Sequence, residues 1–212
     1  MRLSHAFPAL SCAIALVVVP RVGEDQEPPV RYYIEHQGGT TDVLLDRPFE
    51  LRTEGGEVFS ATLRAHPTRV FAIDQLSFEY PRHLPFEFDD SGSVPMWTLD
   101  GNDVTVVVQR FEFDHLDPEQ LLEDMAEAAV DGLAADAATP ISLDVRGATL
   151  PGKRVEATVA GHRLRQDWYL AAHADGAIVT FMIQDSPQAG GDPSDEAALV
   201  IGMIQRTLKR GG

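Results

Sequence analysis

Asp89-Asp90-Ser91-Gly92-Ser93, with Asp100 and Asp103 a short way beyond, is the stretch of this chain that most invites chemistry. Clustered carboxylates and hydroxyls on a loop can hold a hard cation such as calcium, which takes six to eight oxygens. The spacing is not that of a calcium-binding helix–loop–helix, and no Glu closes the loop at the required distance. Weak divalent-cation binding is the alternative this stretch supports. Ser91 and Ser93 also flank Gly92, but the context is not the strand–turn–helix that exposes a hydrolase nucleophile. A Ser–His–Asp set can still assemble from distant positions, because triads are defined by geometry. Hydrolysis by such a set is the enzymatic alternative.

His36, His66, His83, His115, His162 and His173 are scattered. None forms the helical pair of a zinc site, and no HExxH or HxH occurs. No nucleotide or other cofactor motif is present. The expectation is a chain without catalytic, metal or cofactor residues.

The densest charge lies between Phe111 and Val145, which holds ten acidic residues and no Lys or Arg. Glu119, Glu123, Asp124, Glu127 and Asp131 fall on the polar side of a predicted helix. Like charges at i,i+4 cost only a few tenths of a kcal/mol each, so a solvated face explains them without a ligand. The functional reading is a docking face for a basic partner, with Glu119, Glu123 and Glu127 as its candidates. The whole chain carries a formal net charge of −16. That argues against nucleic acid and against anionic lipid surfaces as partners, since both call for a basic face.

The elements that must position these residues can be read from hydrophobic period and turn residues. Arg2 precedes the apolar run 6–19, and polar 21–26 follows. The run is too short to span a bilayer and has the length of a secretory leader. The expected organisation is a signal peptide at 1–22 and a linker at 23–29. An N-terminal β extension at 30–75 and an α+β domain at 76–210 follow. Removal of the leader takes away Cys12, the single cysteine, and with it thiol chemistry. The expected location is extracytoplasmic, periplasmic or secreted, with no membrane span remaining.

Phe49–Thr53 and Val58–Leu63 read as a hairpin about Gly55–Gly56. A second hairpin about Gly101–Asn102 sets Trp97 opposite Val106 and Leu99 opposite Val104. Asp117-Pro118 caps a helix over 118–136, with Gln120 completing a capping box and Leu121, Leu122, Met125, Ala129 and Leu133 as its apolar stripe. Ile141–Thr149 alternates, and Pro151–Gly152 is expected to turn. Ala160–Gly161 and Asp175–Gly176 then close two hairpins.

The first of these hairpins sets Glu156 against Arg165 and Arg154 against Asp167. Its other face carries Val155, Ala157, Val159, Leu164, Trp168 and Leu170. The second sets Ala172 against Val179, Leu170 against Phe181 and Trp168 against Ile183. Tyr169, His173, Ile178 and Met182 are left on the mixed face: they are core if a helix covers it too, and a candidate binding surface if it is open. A last helix is expected over 193–210, with Ala197, Ile201, Ile204 and Leu208 inward and Arg206, Lys209 and Arg210 in its last turn. Hairpins dominate and crossovers are not expected, so the fold class is an antiparallel α+β sandwich.

Phe78-Glu79-Tyr80-Pro81, Trp97-Thr98-Leu99-Asp100-Gly101, the Leu121–Leu133 helix, Leu150-Pro151-Gly152 and the closing helix together resemble the PsbP-like family over about 76–208. The resemblance implies an α/β/α sandwich that serves as an extracytoplasmic binding or accessory module, generally without catalytic activity. It carries no site residue over, because that family has no shared site motif. The functional expectation is an exported, non-enzymatic accessory protein of the cell envelope that acts through contacts with a protein partner.

Overall fold

A computed structural model describes residues 31–36, 39–43, 62–73, 76–112, 115–174 and 176–210. The expected leader, the linker and most of the expected hairpin at 49–63 lie outside these residues. The protein is α+β, with two helices and antiparallel sheets.

The main sheet has seven strands in the order β6-β7-β8-β12-β11-β10-β9. They are β6 (Phe86–Asp89), β7 (Met96–Asp100), β8 (Val104–Glu112), β9 (Ala138–Val145), β10 (Ala148–Val159), β11 (His162–Ala174) and β12 (Ala177–Asp185). A three-stranded sheet joins β4 (Thr68–Ile73), β5 (Leu76–Pro81) and β13 (Lys209–Arg210), with β5 central. The expected division at Leu76 falls between β4 and β5, which pair with each other. Another three-stranded sheet holds β1 (Tyr32–His36), β2 (Gly39–Val43) and β3 (Thr62–Ala65).

α1 (Pro118–Leu133) connects β8 to β9. Four successive antiparallel pairings separate those two strands, so they run parallel and the connection is a crossover. This corrects the expectation that hairpins alone join the strands. The Asp117 side chain accepts from the Glu119 and Gln120 amides, as a cap should. Gln120 does not close a capping box; its amide donates to Asp124 at 2.7 Å. The helix ends early, at Leu133, because Ala134 takes a left-handed conformation (φ 50°) and returns its amide to Asp131 and Val130.

α2 (Asp195–Thr207) begins at Ser194, not at Pro193, with Ser194 Oγ accepting from Ala197 N at 3.1 Å. Arg206 lies in its last turn, but Lys209 and Arg210 leave the helix and pair with Ser77 and Leu76 as β13.

Core packing follows from strand alternation. One face of the seven-stranded sheet carries Leu99, Val106, Val108, Leu143, Leu150, Val179, Phe181 and Ile183. They cluster with Phe71, Phe78 and Tyr80 from β4–β5 and Ala197, Val200 and Ile204 from α2. Trp97 is 1% exposed and sits between Phe71, at 6.1 Å, and Phe88, at 5.3 Å. The opposite face packs against α1, which lies on β9, β10 and β11. Leu121, Leu122, Ala126, Val155, Ile178 and Met182 are buried but stand outside the main cluster. The architecture is therefore α1, then the large sheet, then α2 with the β4–β5–β13 sheet.

Three registers differ from expectation. The β7–β8 connection is longer than two residues, so Trp97 faces Val108 and Leu99 faces Val106. Pro151 and Gly152 do not turn: they lie inside β10, and the turn falls at Arg146–Gly147, both at positive φ. Gly152 is required there by space, since a Cβ would lie 2.6 Å from Trp168 O and 2.7 Å from the Tyr169 ring. Finally, β11 carries a bulge between Leu170 and Ala172. Ala172 faces Val179 as expected, but Leu170 faces Thr180, Tyr169 faces Phe181 and Trp168 faces Met182. One extra residue reverses the faces of everything before it.

Candidate binding surface

The bulge divides the residues expected to share a surface. Tyr169 stands on the main-core side, 3% exposed, with its ring 5.0 Å from Phe181. Ile178 and Met182 stand on the α1 side and are 2% and 7% exposed. His173 pairs with Ile178 in the ladder. Tyr169, Ile178 and Met182 are thus packing residues, as the covered reading of that face has it, but on two faces rather than one, and the alternative open patch does not form. The extra residue at Ala171 has no signature in period-2 counting, so the sequence reading missed it.

The ion pairs of the first hairpin are where the pattern put them. Arg154 donates to Asp167 through both Nε and Nη2, at 2.7 Å each. Arg165 Nε donates to Glu156 at 3.1 Å, and Arg165 Nη2 to Gly191 O at 2.5 Å. Because Tyr169 shares this face, the pairs lie at the end of the main core rather than on an exposed sheet. Side-chain exposure is 5% for Asp167, 8% for Arg165 and 3% for Asp185. Burial, followed by the nearby Asp167 carboxylate, pushes the Tyr169 phenol well above its ordinary range. The hydrogen bond to Asp167 raises Arg154 further. Asp185 Oδ1 accepts from Ser194 N at 3.2 Å and so holds the cap of α2. This cluster anchors the loop between β12 and α2, which is a structural task.

Two histidines lie near carboxylates, one through a hydroxyl and one directly. His66 Nδ1 lies 2.9 Å from Thr68 Oγ1 and accepts from Thr68 N at 3.3 Å, while Thr68 Oγ1 donates to Glu79 at 3.3 Å. Hydroxyl, imidazole and carboxylate are therefore in contact, but in the wrong order for a triad. The carboxylate touches the hydroxyl and does not orient the ring, and Thr68 is 6% exposed. His83 Nε2 lies 2.6 Å from Glu196 Oε1. Ser91 and Ser93, the hydroxyls singled out by sequence, sit on the exposed β6–β7 loop, where Asp89 accepts from Ser91 N at 2.8 Å. Those bonds to Ser91 hold Asp89 below its ordinary carboxylate range. Among the described residues no three His, Cys, Asp or Glu converge to hold a metal ion.

The acidic helix face is the remaining expected feature. α1 turns Glu119, Asp124, Glu127 and Asp131 to solvent. Glu123, half-buried, pairs with Lys153 of β10. Among the described residues Glu119, Glu127 and Asp131 have no basic partner. Among them, too, no helix is long and apolar enough to cross a membrane.

Comparison with known proteins adds little to this geometry. No family model matches the chain, and no curated protein matches it. The solved structure of LpqN, involved in cell envelope biogenesis of Mycobacterium tuberculosis, is similar at 13% identity. The likeness covers 61% of this chain and 79% of that one, with a TM-score of 0.38. A likeness of that size carries no argument about function, and none is drawn from it.

Proposed function

We propose that this chain is an exported, non-enzymatic accessory protein with a PsbP-like sandwich, which binds a protein partner of the cell envelope through surface charge. The observation that carries the reading is the outward face of α1. Four carboxylates stand exposed along a helix anchored from below by Leu121, Leu122 and Ala126. A rigid acidic face of this kind gives a basic partner electrostatic steering and register. The apolar run near the N-terminus supports export, and the acidic balance of the chain fits a cationic partner.

Capture from an envelope extract tests the reading. The wild-type chain retains a specific partner at physiological salt and loses it as salt rises, because screening acts on exposed charges. The triple variant E119Q/E127Q/D131N keeps its fold and loses that partner. Equal recovery by the variant, or no partner at physiological salt, overturns the proposal. The hydrolase reading is kept apart by its own readout, turnover of generic ester, phosphoester and peptide substrates.

A further inference from the structure

We infer that Glu196 is a clasp: its carboxylate fills an anion-binding nest made by the β7–β8 turn and His83, and thereby straps both connecting loops to α2. The three parts come from distant places in the chain. Glu196 Oε2 accepts from Asp103 N at 2.8 Å, Oε1 lies 2.6 Å from His83 Nε2, and the neighbouring Asn102 amide also favours the ionised carboxylate. Two successive backbone amides pointing at one carboxylate form the concavity that binds anions elsewhere in proteins. The Glu196 side chain is 11% exposed, so these donors stand in place of part of its water.

The approach is possible because residue 101 is glycine. A Cβ there would lie 2.6 Å from Glu196 Oε2 and 2.9 Å from Val104 O. The turn is braced on its other side, where Asp103 O accepts from Ser186 N at 3.0 Å. The far end of α2 is tied to β5 as well. Glu79 N donates to Thr207 Oγ1 at 2.9 Å, and β13 continues the β5 sheet. α2 is thus fastened to the β4–β5 sheet at its C-terminal end and, through Glu196, to the loop that follows β5. The turn so held carries Asp100 and Asp103, both exposed, so the clasp sets the geometry of that acidic corner.

Removing the carboxylate leaves three donors around a space of carboxylate shape, which a small carboxylate from solution will enter. The test is amide hydrogen exchange of the full chain at one pH, with sodium acetate or sodium chloride at equal ionic strength. In E196A the Asn102 and Asp103 amides exchange about tenfold faster than in wild type, the loss expected for a bond to a charged acceptor. Acetate slows them again and chloride does not. Unchanged exchange in E196A, acceleration spread over all of α2 and the large sheet, or acetate acting no differently from chloride overturns the inference. If E196A does not fold, E196Q keeps the shape and removes the charge. Those two amides accelerate in it as well, and wild-type exchange there overturns the clasp equally.

Discussion

The two faces of the seven-stranded sheet are built from the same strands and stabilised differently. The α2 face holds the aromatic core and, at one end, a row of charges sunk to a few per cent exposure. The α1 face holds fewer buried apolar residues, and the outward side of its helix is acidic and open. Its ion pair to the sheet, Lys153–Glu123, is partly solvated, with side chains 21% and 45% exposed. The lesson is that charge on a strand does not mark the solvent side. Asp167 and Arg165 are inside and each is bonded, while Arg154, a third exposed, reaches in to meet Asp167.

The largest effect should come from the aromatic core. Trp97→Ala removes a ring packed between Phe71 and Phe88 and should cost about 3–5 kcal/mol, read from the denaturant midpoint. Met182→Ala on the α1 face should cost less, nearer about 2 kcal/mol, because a flexible side chain there can be replaced by collapse. Equal losses would mean that the two clusters are one core.

Breaking the ion pairs should separate the faces again. Asp167→Ala leaves Arg154 without its bidentate partner beside Tyr169, and the expected loss is about 2–3 kcal/mol. That is below the value for a fully buried pair, because Arg154 remains a third exposed. Glu123→Gln on the other face should cost no more than about 1 kcal/mol, and less in high salt. A similar cost for both would show that Asp167 is solvated as freely as Glu123.

Much of this division could be read from residue types, and the part that could not has a single cause. The opposite-charge pairs Glu156–Arg165 and Arg154–Asp167 identify the first hairpin and its register, because Ala160–Gly161 adopts the positive φ a two-residue turn needs. Asp117-Pro118 locates the start of α1. Which face those charges occupy depends on the bulge at Ala171, and Ala171 and Ala172 are alike in size and polarity. Both enter the core, at 1% and 8% exposure, and nothing in their types says that one is extra. The bulge takes Tyr169 off the face it was expected to share, while Ile178 and Met182 keep that face and are buried on it; Glu119 and Glu127, which depend only on helical period, are exposed as expected. Glu196 was passed over because its partners, His83 and the Asp103 amide, are 113 and 93 residues away.

The smallest effect concerns Glu196 and is recognised by its pH dependence rather than its size. Burial alone would raise its pKa. The bonds from Asp103, His83 and Asn102 outweigh burial and hold it below the ordinary value. A carboxyl whose folded pKa is depressed adds stability at pH above its unfolded value, about 4.3 for a free Glu, and loses it as pH falls through the folded value. Wild type should therefore shed part of its stability on the acid side of that point, and E196Q should lack that part while following wild type elsewhere on the limb. The Asp167 pair lies on the same α2 face but shares no bonded partner with the clasp, so E196Q and D167A should give additive losses at neutral pH. Non-additivity there would mean that the buried charge row and the clasp act as one network along α2, and that the distinction belongs to whole faces rather than to single bonds.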